Sequence, residues 1–212
     1  MAAAQTTLYD YWRSSAAYRL RIALGLLDED FDAVSIDLVA GAHREPAYLA
    51  RNPQGLVPTL EIDGLELTQS LAVIEYLDET RAAGFLPSDA VERAHVRALS
   101  YAIAMEIHPV CNLSVAKFAS ENSGGQIDMK GWMHAFIPER LAAFGTMLGA
   151  SSGRYCHGDS ITMADICLVP QIYNARRWEI DLHPLPRLTK IMEALEGVPA
   201  ISNAHPDNFK PA

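Results

Sequence analysis

The chain has 212 residues, 50% of them hydrophobic and 20% charged, with a formal net charge of −9. This length admits one large domain or two small ones, and the balance excludes general disorder and low-complexity classes. The acidic excess argues against nucleic acid or an anionic membrane as a partner, because both are held through clustered Lys and Arg; an anionic small substrate must find a local positive pocket instead.

The opening Met1–Thr7 has neither the basic nor the apolar region of a signal peptide, and no apolar run approaches the roughly 20 residues of a membrane helix. The expected location is therefore the cytoplasm, with no membrane partner. Leu8 to Trp12 suits a short strand. From Ala17 the residues Leu20, Ile22, Ala23, Leu24 and Leu27 cluster at helical spacings. Asp32 to Leu38 then alternates with period two, which predicts a strand with one buried face. Val57 to Leu67 reads as two strands around the hairpin signal Asp63-Gly64. Ser70 is placed as the cap of a helix with Leu71, Ile74 and Leu77 on its apolar face, running to about Asp78. The order βαβ, a connection, then ββα matches a thioredoxin-like α/β layer of about 80 residues.

Arg81 to Ala90, with Gly84, Pro87 and Ser88, reads as a linker, and the strand signals stop beyond it. A long helical pattern runs from Val91 to about Ala119 through Leu99, Ile103, Ile107 and Val110, with a bend expected at Pro109. After Glu121-Asn122-Ser123-Gly124-Gly125, the residues Ile137, Leu141, Phe144 and Leu148 share one helical face and read as core. Thr162 with Asp165 has the form of a capping box before Ile166-Cys167-Leu168-Val169. The expected organisation is residues 1–82 as an α/β domain, 83–90 as linker and 91–212 as an all-helical domain, without internal repeats. Cys111, Cys156 and Cys167 are odd in number, widely spaced and free of a CxxC, so inert buried thiols are expected rather than a disulfide framework or a metal site.

Two helix starts carry the chemistry. Arg13-Ser14-Ser15 places hydroxyls and free N–H groups where a helix N-terminus favours anions, although the same spacing also fits a plain helix cap. Gln69-Ser70 opens the next helix straight after a strand, so both starts should lie on one edge of the sheet. Between them, Val57-Pro58 is open as a plain strand start or as a cis bond. Arg19 and Arg21 read as solvated or paired with acids, with Arg19 close enough in sequence to touch the site.

The run Tyr11 to Leu24, with Trp12-Arg13-Ser14-Ser15 at its start, resembles the N-terminal signature of zeta-class glutathione transferases, the family of maleylacetoacetate and maleylpyruvate isomerases. Asn52 to Leu60, Gln69 to Leu77, Asn112 to Val115, Gly158 to Gln171 and Asn174 to Trp178 extend the resemblance over almost the whole chain. The Ser14 run and the Asn174 segment carry the class; the Val-Pro and Gln-Ser elements carry only the superfamily.

The resemblance implies the glutathione transferase fold, with glutathione as cofactor in the first domain, a dicarboxylic oxo acid as substrate in the second, and a homodimer. Ser14, assisted by Ser15, would activate the glutathione sulfur. Val57 would pair its backbone with the cysteinyl part across Pro58, Gln69 and Ser70 would hold the γ-glutamyl carboxylate, and His43 would approach the glycyl end. His108, Asn112 and Ser114 match positions bordering the same site, and Arg13, Arg176 and Arg177 would serve the substrate, Arg13 and Arg177 as catalytic clamps.

The implied reaction is cis–trans isomerisation of a maleyl acid in aromatic amino acid or aromatic compound catabolism. The alternatives are a general glutathione transferase or α-haloacid dehalogenase, and a non-catalytic interaction module. Ala16 departs from the family's usual Cys, which removes the best candidate for a Cys-dependent redox role.

Overall fold

The computed structural model describes residues 5–211; residues 1–4 of the opening segment, and residue 212, lie outside them. The chain divides into two compact units, one formed by Met1–Phe85 with Val198–Ala212 and the other by Leu86–Gly197.

In the first unit β1 (Thr7–Asp10), α1 (Ser15–Leu26) and β2 (Asp32–Ser35) form a parallel crossover. A short 3-10 turn, Ala42–Arg44, and α2 (Pro46–Leu49) follow. The hairpin β3 (Thr59–Ile62) and β4 (Leu65–Thr68) then leads into α3 (Ser70–Arg81). The strand order is β2-β1-β3-β4. Asp63 and Gly64 both have positive φ, 55° and 78°, which is what a two-residue hairpin turn matching the strand twist requires. Leu8, Leu60 and Ile62 of the sheet are buried, as are Leu20, Ile22 and Leu24 of α1 and Val73, Ile74 and Leu77 of α3, and α1 packs on α3. The tail of the chain, α9 (Pro199–Asn203) with a 3-10 turn at Pro206–Phe209, packs against α1. Gly25 allows this approach, since a Cβ there would meet the Ala200 carbonyl at 3.3 Å.

The second unit is helical: α4 (Ala90–Tyr101), α5 (Leu113–Asn122), α6 (Met129–Met147), α7 (Met163–Arg177) and α8 (Pro186–Glu196). Ile137, Leu141, Phe144 and Leu148 are fully buried on α6, as their spacing predicts. Almost all of α7 is buried, and it packs on α4 and α8 as a helix apolar on most of its faces must. All three cysteines are free and buried. No described helix is long and apolar enough to cross a membrane, and no described group of His, Cys, Asp and Glu has the arrangement of a metal site.

Three expectations are corrected. β2 stops at Ser35 and all four of its residues are exposed, at the edge of the sheet. The single bent helix from Val91 to Ala119 is instead α4, a π-helical stretch at Ala102–Ile107, a turn at Pro109, and α5. Pro109 lacks the N–H needed to continue, and the carbonyls freed nearby find other donors, Arg140 at Glu106 (2.7 Å) and the Trp132 indole at Val110 (2.9 Å). Finally, Ser70 is the first residue of α3 rather than its cap; Gln69 holds the cap position, and the helix continues to Arg81.

Candidate active site

β1 runs antiparallel to β3, and β3 antiparallel to β4, so β1 and β4 point the same way and the starts of α1 and α3 lie on one edge of the sheet. Thr59 pairs with both Tyr9 and Thr68, which brings the segment entering β3 to that edge between them. The Val57–Pro58 bond is cis. Neither the N–H nor the C=O of Val57 has a partner among the described residues.

The strand end is joined to α1 by the turn Tyr11-Trp12-Arg13-Ser14, closed by Ser14 N–H donating to the Tyr11 carbonyl at 2.7 Å. Ser14 is the N-cap of α1: its Oγ accepts from the Ala17 N–H at 3.2 Å, and its carbonyl accepts from Tyr18 at 2.9 Å. The plain cap is thus present, and it lies at the same helix end that the anion reading concerns. The hydroxyl uses a lone pair for the cap, while its proton is uncommitted among the described residues. The N–H groups of Ser15 and Ala16 are uncommitted too, and no acid sits in the first turn to neutralise the positive helix end.

Arg13, half-buried, donates to the Tyr11 hydroxyl at 2.8 Å and lies over the Trp12 ring at 4.8 Å. It has no carboxylate partner among the described residues, and its buried Nε makes no hydrogen bond.

At the second helix start, Gln69 has φ 67° and ψ 102°, a backbone region that side chains rarely occupy away from functional sites. No side chain caps the first N–H groups of α3. Gln69 donates its amide N–H to Gln54 at 2.8 Å. Ser70 is buried, and its Oγ accepts from Arg19 Nη1 at 3.2 Å. Arg19 is itself only 3% exposed, so it is not a solvated cation but a bridge from α1 to the start of α3.

Sequence reasoning gave no role to two further residues. Tyr48 (O–H donated at 2.7 Å) and Asn52 (amide at 2.8 Å) both bond the Leu56 carbonyl, which fixes the chain one residue before Val57. The Asn52 side chain also accepts from Gln54 N–H at 3.1 Å, a turn of the kind that Asn-Pro-Gln-Gly signals. Gly55 has φ 61°, and a Cβ there would meet the His43 carbonyl at 3.1 Å, so the loop rests on the His43 turn. His43 is half-buried. Burial, and then the neighbouring Arg44 charge, hold its pKa below the usual imidazole value, and its buried Nδ1 makes no hydrogen bond.

Arg13, Ser14, Ser15, His43, Val57, Pro58, Gln69 and Ser70 all belong to the first unit; His108, Asn112, Ser114, Arg176 and Arg177 belong to the second. There Asn112 caps α5, its Oδ1 accepting from the Ser114 N–H (3.0 Å) and hydroxyl (2.9 Å), so these two side chains are first of all engaged with each other. His108 ends the π-helical stretch. Arg176 is exposed and ion-paired with Glu196, whereas Arg177 lies over the Trp178 ring at 5.3 Å.

Residues 4–79 match the family model for the glutathione S-transferase N-terminal domain, and residues 110–203 a model for the C-terminal domain. The maleylacetoacetate isomerase of Rhizobium meliloti (strain 1021) is 57% identical over 210 residues, covering 98% of this chain and 99% of that protein. That of Rattus norvegicus is 41% identical over 209 residues, covering 97% and 94%. Among solved structures, a holo maleyl pyruvate isomerase, a bacterial zeta-class enzyme, superposes with a TM-score of 0.90 at 35% identity, covering 94% of this chain and 96% of that one. Maleylacetoacetate isomerase from Anaeromyxobacter dehalogenans 2CP-1, with glutathione bound in its active site, gives 0.87 at 39% identity, covering 98% and 97%.

Proposed function

The chain belongs to the glutathione transferase family, in its zeta class, and from that membership we propose that it is a glutathione-dependent cis–trans isomerase of a maleyl oxo acid, maleylacetoacetate or maleylpyruvate. The observation that carries the proposal is the start of α1, where a hydroxyl proton and two N–H groups stand uncommitted at an unneutralised helix end. Such an end holds a sulfur as its anion. The chain's own thiols do not serve: burial pushes Cys111 up to about 11 and Cys156 well above the ordinary thiol value.

Glutathione, when bound, supplies a sulfur nucleophile that adds to the maleyl double bond and leaves again after rotation about it. Ser14 donates its hydroxyl proton toward that sulfur, with the Ser15 N–H beside it. Val57 offers its backbone N–H and C=O to the cysteinyl part, Gln69 and Ser70 hold the γ-glutamyl carboxylate, and His43 stands at the glycyl end. Arg13 balances a substrate carboxylate and the charge that builds on the substrate's oxygen as sulfur adds. Of the two successive arginines, Arg176 is ion-paired with Glu196; both are assigned to the substrate by the likeness to the class, Arg177 as the catalytic clamp. The class also supports a homodimer working in the cytoplasm, and a mass in sedimentation equal to one chain would remove the dimer.

Purified protein assayed with glutathione should prefer maleylacetoacetate to chlorodinitrobenzene and dichloroacetate; the opposite preference would make it a general transferase or a dehalogenase. Arg177→Ala should lower turnover of the dianionic acid by at least about tenfold, the scale of one charge-assisted contact, with glutathione binding held within about twofold. Equal loss of both would take Arg177 out of the reaction.

A further inference from the structure

Arg21 is the largest fully buried side chain described, at 1% exposure, and it makes contacts that a solvated helix arginine would not. Its Nη1 donates to Asp10 Oδ2 at the end of β1 (2.6 Å), its Nη2 to the Trp12 carbonyl (3.0 Å), and its Nε to the Ala204 carbonyl (3.1 Å) in the tail of the chain. The guanidinium lies 4.6 Å from the Phe209 ring centroid and 5.1 Å from that of Tyr18. Phe209 stacks in turn on Phe31 at 6.2 Å with their planes 5° apart, and Lys210 lies 5.6 Å from the Trp12 ring.

The Trp12 carbonyl belongs to the middle peptide of the turn that presents Ser14. That peptide is the one whose rotation converts a type I turn into type II, and type II needs a positive φ at its third residue, here Arg13. Neither Trp12 nor Arg13 has a positive φ. A donor fixed on the Trp12 carbonyl therefore holds the turn in the form it has, and with it the direction of the Arg13 side chain and of the Ser14 hydroxyl.

We propose that Arg21, braced by the C-terminal segment from Ala204 to Phe209, is a positioning residue for the sulfur site: it locks the Trp12–Arg13 peptide so that Ser14 and the start of α1 face the bound sulfur. The proposal rests on the assignment of that helix start to the glutathione thiolate. It gives the tail a part in catalysis although the tail touches neither cofactor nor substrate in this scheme.

The test is the ionisation of bound glutathione, followed by its ultraviolet thiolate band against pH in the full-length protein. Arg21→Lys keeps a cation for Asp10 but cannot reach Trp12 and Ala204 at once, and Phe209→Ala removes the ring that lies on the Arg21 guanidinium without changing any formal charge. Each should raise the bound thiol's pKa, Arg21→Lys by about one unit, so that the thiolate present on the acid side of the titration falls roughly tenfold. In a Ser14→Ala background Arg21→Lys should add little, since both act through one hydroxyl. Variants that melt earlier but keep the wild-type thiol titration would overturn the proposal and leave the tail a purely structural strap. Additive effects of Arg21→Lys and Ser14→Ala would overturn it too. A wild-type complex whose sulfur titrates as in free solution would instead bring down the underlying assignment, and this inference with it.

Discussion

The starts of α1 and α7 are built from the same kind of sequence, a hydroxyl residue before an apolar helix, and they leave their helix ends in different states. At α7 the Asp165 carboxylate accepts from the Thr162 N–H (2.8 Å), the Thr162 hydroxyl (2.9 Å) and the Cys156 N–H (2.8 Å), and both Thr162 and Asp165 are buried. Burial holds the Asp165 carboxyl above the ordinary carboxylate value, although these bonds pull it down. The Met163 and Ala164 N–H groups have no partner among the described residues either, but there an acid stands in the first turn, against the positive helix end. At α1 the only side-chain cap is Ser14 to Ala17, no acid is present in the first turn, and the Ser15 and Ala16 N–H groups stay open. A helix start becomes a site when its own chain leaves the positive end uncompensated.

The contrast breaks most visibly at Asp165. Asp165→Ala leaves two buried backbone N–H groups and a hydroxyl without their acceptor, and at about 1–3 kcal/mol per orphaned group the expected loss of stability is at least about 3 kcal/mol. Denaturant unfolding should show it, while activity per folded molecule stays near wild type. Activity lost ahead of stability would mean that the α7 cap is not merely structural.

Ser14→Ala should reverse that pattern. Loss of one cap costs about 1 kcal/mol of stability, but loss of the donor facing the sulfur should cut turnover about a hundredfold, equivalent to about 2.7 kcal/mol. The pH–rate profile should move to higher pH, because fewer donors stabilise the thiolate and its pKa rises. A variant that loses stability and keeps its profile would reduce Ser14 to an ordinary cap.

Much of this was legible in the residues because it depends on near neighbours. The Asp63-Gly64 turn, the face shared by Ile137, Leu141, Phe144 and Leu148, and the two helix starts on one sheet edge all follow from local spacing. What failed depends on distant partners. The alternation in Asp32–Leu38 tells which side chains share a face but not whether anything covers it, and β2 proves to be an exposed edge. Arg21 pairs with an acid, Asp10, as one reading of its charge allows, but its burial depends also on an acceptor at Ala204, 183 positions along the chain. Tyr48 and Asn52 received no role because their target is a backbone carbonyl, which no residue type advertises. The cis state of Val57–Pro58 has no marker in composition at all.

The start of α3 lies between the two extremes, and it gives the smallest effect. Ser70 Oγ already accepts from Arg19, so its own proton is turned toward another acceptor, and the buried guanidinium adds positive charge beside the uncapped N–H groups of α3. Arg19→Met keeps most of the packing and removes both effects. It should raise the KM for glutathione about tenfold, worth about 1.4 kcal/mol, because a γ-glutamyl carboxylate would meet a freely rotating hydroxyl and a weaker field. The kcat at saturating glutathione should change by less than about twofold, since the sulfur end is untouched. Arg19→Lys, which keeps the charge and one donor, should recover part of the lost affinity. A fall in kcat at constant KM would instead couple Arg19 to the sulfur through α1, and the two helix starts on this edge would then act as one unit rather than as separate anion sites.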